Sequence, residues 1–167
     1  MVHWHAVFTA SRAEKKVRDR LEELGVECFL PVQTVLRQWT YRKSRVVVPV
    51  IAGLVFVRVS RQEQVKVLQT KGVVAFLRLK GEAGAAVIPD KQMEDFRFLL
   101  DFSEEAVEMT NENIKAGDLV RVVKGSLRGM EGELIRHKGV TKVLVRIDML
   151  GCAMVNIPAS FVEKLNK

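Results

Sequence analysis

At 167 residues the chain is long enough for one domain or two small ones, and it can bury a core without staples. It has no apolar run long enough to span a bilayer, and its start lacks the basic-then-apolar order of a secretory leader. Its two cysteines, Cys28 and Cys152, lie far apart with no CxxC pairing, which points to a reducing compartment and a cytoplasmic protein. The net charge of +7 is unevenly spread. Residues 1–80 carry 15 Lys and Arg against 6 Asp and Glu, residues 81–113 carry 2 against 9, and residues 114–167 carry 10 against 5. Two basic blocks flanking an acidic one point to two domains, an acidic connector and a nucleic-acid partner.

In chain order, Trp4–Phe8 reads as a strand with Trp4, Ala6 and Phe8 on one face and His5 and Val7 on the other. Ser11-Arg12-Ala13-Glu14 fits a capping box. A helix is expected from about Arg12 to Leu24, with Ala13, Val17, Leu21 and Leu24 inward and Gly25 ending it. Arg12, Lys15 and Lys16 sit where the helix dipole adds to their own charge, so they are candidates for phosphate contact. Val26–Leu30 is a second strand, closed by Pro31. Gln33–Arg45 interleaves Arg37, Arg42, Lys43 and Arg45 with Trp39 and Tyr41, which suits a hairpin tip that pairs phosphates and stacks bases. A solvated hairpin with its rings folded back fits equally well.

The most apolar stretch, Arg45–Val59, predicts two β-runs, Val46–Pro49 and Leu54–Val59, about a turn at Ala52-Gly53, completing an antiparallel sheet. In the second run Val55, Val57 and Val59 oppose Leu54, Phe56 and Arg58. A strand buried on both faces is the plainer reading, and a face covered by another protein is the sharper one. Gln62–Thr70 reads as a short helix with Val65 and Leu68 inward, and Val73–Leu79 as a strand. A third helix opens at Pro89-Asp90, with apolar Met93, Phe96, Phe98, Leu99 and Leu100. Strands and helices in this order make an α+β sandwich.

Residues 101–113 are acidic and polar, and read as a linker between a domain at 1–100 and one at 114–167. Five short strands are expected after it: Leu119–Val123, Glu133–His137, Lys142–Ile147, Ala153–Ile157 and Val162–Lys164. That spacing suits a small closed β-barrel.

The C-terminal pattern Gly117-Asp118-x-Val120-Arg121-Val122, followed by Gly125, Gly129 and Gly132, resembles the KOW motif of SH3-like barrels. Trp4–Phe8, the Ala13–Leu24 helix, Phe29-Leu30-Pro31, the Pro49–Val57 run and the Gly72–Arg78 strand resemble, in order, the NusG N-terminal domain. Nearly the whole chain is thus similar to NusG/RfaH-type transcription elongation factors. Arg37-Gln38-Trp39, the basic run after it and VPVIAGLVFVRV most resemble the UpxY-type antiterminators of Bacteroides capsular polysaccharide operons. The resemblance implies a NusG-like antiparallel sheet flanked by helices, an acidic linker and a five-stranded SH3-like KOW barrel.

It implies docking on the clamp helices of the largest RNA polymerase subunit through a pocket lined by Phe8, Ile51, Leu54 and Phe56. It also implies suppressed pausing and contact with the non-template DNA strand. Arg12, Lys15, Lys16, Thr70, Lys71 and the hairpin residues Arg37, Arg42 and Lys43 occupy the matching DNA positions. In the barrel, Leu127, Met130, Met149 and Leu150 match positions that recruit a small-subunit ribosomal protein or Rho, with barrel core the competing reading. Relatives often carry Phe-Pro and Tyr where this chain has Ile51-Ala52 and Leu54. Some use a His-Thr-Thr segment for a second polymerase contact where this chain has Glu63-Gln64-Val65.

No catalytic constellation, metal site or cofactor motif emerges. His3 and His5 share a strand face without an evident third ligand, His137 stands alone, and the glycines match no nucleotide loop. The expectation is a non-enzymatic antitermination factor. Its alternatives are a housekeeping NusG-like factor or a non-catalytic RNA-binding or ribosome-associated KOW protein.

Overall fold

The computed structural model describes residues 1–165. It is a mixed α/β structure with antiparallel sheets and three α-helices among the described residues. No helix among them is long and apolar enough to cross a membrane. The chain divides into two compact units. One holds Met1–Thr34 and Val46–Asp90; the other holds Val35–Arg45 and the residues from Lys91 onward.

The first unit is built on a four-stranded sheet. Its strands are β1 (His3–Thr9), β2 (Glu27–Phe29), β5 (Leu54–Val59) and β6 (Val73–Phe76), in the order β2-β5-β1-β6. The remaining strands of the N-terminal half, β3 (Val32–Gln38) and β4 (Lys43–Pro49), pair as a separate two-stranded ribbon. The run Val46–Pro49 therefore forms a strand as expected but does not complete the main sheet. Alternation decides the faces. Val7, Val55, Val57, Val59 and Phe76 pack with Val17 and Leu21 of α1 (Glu14–Glu23) and Val67 of α2 (Glu63–Leu68). The opposite face carries Trp4, Ala6, Leu54 and Phe56, also buried. β5 is thus covered on both sides.

Helix α1 ends in a Schellman arrangement, with Gly25 N–H on the Glu22 carbonyl and Val26 N–H on the Leu21 carbonyl. Its start differs from the expected capping box. Ala13 stands at the N-cap without a side-chain hydrogen bond, and Arg12 adopts φ +60°. On α2, Val65 and Leu68 face outward and Val67 is the buried residue.

The second unit contains α3 (Asp90–Phe102) from Lys91 on, and a six-stranded sheet in the order β12-β8-β9-β10-β11-β7. These strands are β7 (Glu108–Thr110), β8 (Asp118–Val122), β9 (Glu131–His137), β10 (Val140–Ile147), β11 (Gly151–Asn156) and β12 (Val162–Lys164). Five match the strands expected from spacing. The sixth, β7, comes from the stretch read as linker. It pairs antiparallel with β11, and the Lys142 ammonium caps the pairing by binding Glu108. Of the residues read as linker, 103–107 lie between α3 and this strand.

Candidate functional site

β1 and β5 run antiparallel with Ala6 opposite Phe56 and Phe8 opposite Leu54. The next residues out are the turn Ile51-Ala52-Gly53. That turn is tied at both polar groups of Gly53: its carbonyl accepts from Thr9 N–H at 2.9 Å, and its N–H donates to Glu14 Oε2 at 3.1 Å. Gly53 has φ +71°, a conformation that side-chain-bearing residues seldom adopt. Three segments distant in sequence therefore meet at one corner.

The four candidate pocket residues are close in the fold but unequally accessible. Phe8 is 39% exposed, whereas Leu54 and Phe56 are 1% and 0% exposed; Ile51 is half-buried. Phe56 stacks on Phe29, its register partner on β2, with ring centroids 6.2 Å apart. The expectation of Phe56 as an open partner surface is corrected on this point. The Phe56 ring, on an interior strand, is already packed by its neighbours. Phe8 too lies on an interior strand, paired with Leu54 on one side and Ala75 on the other, so its exposure goes with its place near the C-terminal end of β1 and not with a sheet edge.

The basic candidates lie mostly outward. Arg12, Lys15, Lys16 and Lys71 are exposed. Lys15 Nζ donates to the Val47 carbonyl at 3.3 Å, and the Lys71 carbonyl accepts from Arg20 at 2.8 Å. Thr70 is buried, with its hydroxyl donating to the Lys66 carbonyl, so it presents no free hydroxyl outward. At the tip of the β3–β4 ribbon, Arg37, Arg42 and Lys43 are exposed. Tyr41 is 98% exposed; Trp39 is half out, and its indole N–H bonds the Ser44 hydroxyl. The rings are not folded back onto the strands at Tyr41, which favours the stacking arrangement there.

At Ser60-x-x-Glu63 a reciprocal capping box forms that the sequence analysis passed over. Ser60 N–H donates to the Glu63 carboxylate at 3.0 Å, and Glu63 N–H to the Ser60 hydroxyl at 3.3 Å. The Ser60 backbone N–H first, and its hydroxyl second, hold the Glu63 carboxyl below the usual glutamate range. The spacing S-x-x-E was the available signal. Glu63 thus serves the helix start rather than standing free.

In the second unit, Leu127 and Met130 are buried, Leu150 is half-buried and Met149 is 39% exposed with φ +69°. Core packing therefore accounts for the first two. The loop holding Met149 is fastened by Gln92, whose amide accepts from Asp148 N–H at 2.8 Å and donates to the Asp148 carboxylate at 2.9 Å. Beneath it, Arg146 binds Glu133 through two nitrogens and the Ile114 carbonyl through a third bond. Neither thiol is poised for chemistry: burial, with Glu22 next, pushes Cys28 up to about 11, and burial raises Cys152. No group of three or more His, Cys, Asp or Glu is placed to hold a metal among the described residues.

A family model described as "NusG: Transcription termination factor nusG" matches residues 2–97. A solved structure of Thermotoga maritima NusG superposes with a TM-score of 0.53 at 22% identity, covering 99% of this chain and 98% of that one. The MjSpt4:Spt5 complex in conformation B gives a TM-score of 0.32 at 17% identity, over 98% and 97% of the two chains, and adds no weight. Compared with curated protein sequences, the chain gives no match.

Proposed function

The chain belongs to the NusG family of transcription factors, and from that premise we propose that it is a processive antiterminator. Its first unit docks on the clamp helices of the largest RNA polymerase subunit through Phe8 and Ile51, with Leu54 and Phe56 as the packed floor behind them. Arg12, Lys15, Lys16, Lys71 and the ribbon residues Arg37, Arg42 and Lys43 lie along the exposed non-template strand. The second unit acts as a KOW barrel. It recruits a small-subunit ribosomal protein or Rho through the loops of Met149 and Leu150, over a floor made by Leu127 and Met130. The targets are specific operons of the exopolysaccharide kind.

The observation that carries the reading is the corner at Gly53. The exposed ring of Phe8 sits across from Leu54 there, and Glu14 ties the same turn to the basic start of α1. A partner-binding apolar edge and a phosphate-binding helix start then belong to one rigid piece. Burial of one aromatic such as Phe8 against a partner is worth roughly 1.5–3 kcal/mol.

The test is binding of the full chain to purified RNA polymerase, with Phe8→Asp beside wild type and circular dichroism to confirm folding. Binding lost in the folded variant supports the proposed edge. Equal binding by both removes Phe8 from the interface. No binding by wild type, with RNA or a ribosomal protein retained instead, replaces the reading with that of an RNA-binding KOW protein.

A further inference from the structure

The strand β7 is three residues long and pairs on one side only, at the end of the six-stranded sheet. Its antiparallel register sets Glu108 opposite Met154, Met109 opposite Ala153 and Thr110 opposite Cys152. Residues 111–114 follow it, and Ile114 packs on the buried cluster of Leu144, Cys152 and Met154. Three side chains of the sheet hold this segment. Lys142 donates to Glu108 at 2.5 Å, Arg146 donates to the Ile114 carbonyl at 2.8 Å, and His137 Nε2 lies 3.3 Å from Glu112 Oε2.

The three holders differ in what they need. The Lys142 side chain is 10% exposed, with Glu108 as its acceptor. An ammonium so enclosed is costly to leave unpaired, so any segment seated on the edge of β11 has to present a carboxylate where Glu108 stands. Arg146 keeps its bonds to Glu133 whatever lies above it. His137 Nδ1 is buried without a hydrogen-bond partner among the described residues, so the segment 108–114 leaves one polar demand unmet. Gly151 completes the seat: a Cβ there would lie 2.0 Å from the Thr110 carbonyl oxygen, so β11 is shaped for a strand lying hard against it. The occupying strand itself buries little, with Glu108 exposed and Met109 and Thr110 half-buried. A short edge strand of this kind opens more readily than the strands it joins.

We propose that the edge of β11, with Lys142 and the face of Leu144, Cys152 and Met154 beside it, is a strand-docking site that takes an extended segment of a partner protein in exchange for β7. The segment that fits pairs antiparallel with β11. It carries Glu or Asp at the place of Glu108 and an apolar side chain at the place of Ile114. Main-chain bonds give such a site its affinity and side-chain positions give it selectivity; Lys142 is the selecting residue. The strand β7 is the built-in competitor for the same seat. The site is separate from the corner at Gly53, and its test needs neither polymerase nor nucleic acid.

The experiment is fluorescence anisotropy of a labelled synthetic peptide with the sequence of residues 106–116, titrated with the full chain. Glu108→Lys in the chain sets its own strand against Lys142, and the peptide supplies the acid instead. The peptide should bind this variant one to one and at least about 10-fold more tightly than wild type, whose tethered strand competes at the high effective concentration of a short linker. The same peptide with Glu108→Lys should lose that gain, and so should the chain when Gly151→Ala is added. Amide exchange on the Glu108→Lys chain should show 108–110 unprotected while β9 and β10 stay protected. A Glu108→Lys chain that keeps 108–110 protected shows that Lys142 does not select the strand, and overturns the proposal. So does an opened chain that fails to bind the peptide, or that binds the acidic and lysine peptides alike.

Discussion

The Glu14 carboxylate lies 3.1 Å from the backbone nitrogen of Gly53, across 39 residues of chain, and accepts its hydrogen bond in a nearly buried position. This single bond fixes where α1 begins relative to the turn beside β5. Replacing Glu14 by Ala removes the acceptor and leaves a partly enclosed N–H without a partner. The expected loss is about 1–3 kcal/mol. Glu14→Gln keeps an acceptor oxygen at the same reach and should lose less than half as much. Urea denaturation of the three proteins, followed by far-ultraviolet circular dichroism, reads the difference. Equal losses for Ala and Gln would mean that packing, and not the hydrogen bond, is what Glu14 supplies.

The same bond explains what was and was not legible in the chain. The S-x-x-E spacing occurs at Ser11, at Ser60 and, ahead of a strand and not an α-helix, at Ser160. Of the two that precede α-helices, the one at Ser60 closes into a box and the one at Ser11 does not, because Glu14 is captured by Gly53, a partner that local spacing cannot reveal. Strand positions and faces were legible, since a period of two is a local property: Val7 with Val55, Val57 and Val59 inward, Phe8 opposite Leu54. Coverage was not. Nothing in the run Leu54–Val59 says that Phe29 stacks on Phe56. Likewise the acidic, polar composition of 101–113 hid β7, whose pairing depends on the free edge of β11 and on Lys142. The histidine pair was visible as a pattern, but its hydrogen bond to Ala86 spans 81 residues.

Phe56→Asp is therefore a stability variant before it is a binding variant. The ring is fully buried, and an aspartate there would combine a lost phenyl group with an unpaired charge. A cost of at least about 3–5 kcal/mol is expected, enough to unfold much of a marginal domain. Phe8→Asp, at a position 39% exposed, should cost less than about 1 kcal/mol. Thermal melts of both variants check this. A Phe56→Asp protein as stable as wild type would show that the packing around this ring contributes little.

Gly151 is the residue on which β7 depends. It has φ +111°, and a Cβ built there would lie 2.0 Å from the Thr110 carbonyl oxygen. Gly151→Ala cannot coexist with the β7–β11 pairing. Amide exchange at Glu108, Met109 and Thr110 should then rise to the level of an unpaired segment while β9 and β10 stay protected. Protection retained over 108–110 in the folded variant would mean the backbone relaxes without releasing the strand.

The exposed ribbon makes a salt-dependent prediction. If Arg37, Arg42 and Lys43 each neutralise one phosphate, the slope of log affinity against log salt for single-stranded DNA should fall by about 2 when all three become Ala. Tyr41→Ala should weaken binding by about 1–3 kcal/mol with the slope unchanged, because stacking releases no counterions. Fluorescence anisotropy at several salt concentrations separates the two effects. A Tyr41→Ala protein that binds as wild type does would leave the ribbon with electrostatic contacts alone.

Glu133 ties its unit to pH. Burial raises its carboxyl pKa, but the hydrogen bonds from Arg146, the Gly117 N–H at 3.1 Å and the charge of Arg146 together outweigh burial, so the net shift is downward. A carboxyl whose folded pKa lies below its unfolded value of 4.5 stabilises the fold above that pH and loses the contribution as pH falls through the folded pKa. Glu133→Gln should thus cost about 1–3 kcal/mol at pH 7, and the gap to wild type should narrow steadily below about pH 4.5. Glu108, depressed first by its hydrogen bond from Lys142, titrates in the same direction, so Glu133→Gln should reduce the acid sensitivity without abolishing it. Urea midpoints for the two proteins between pH 7 and pH 3 decide the matter. A gap that stays constant across that range would mean that the ion pair with Arg146 does not set the acid sensitivity of this sheet.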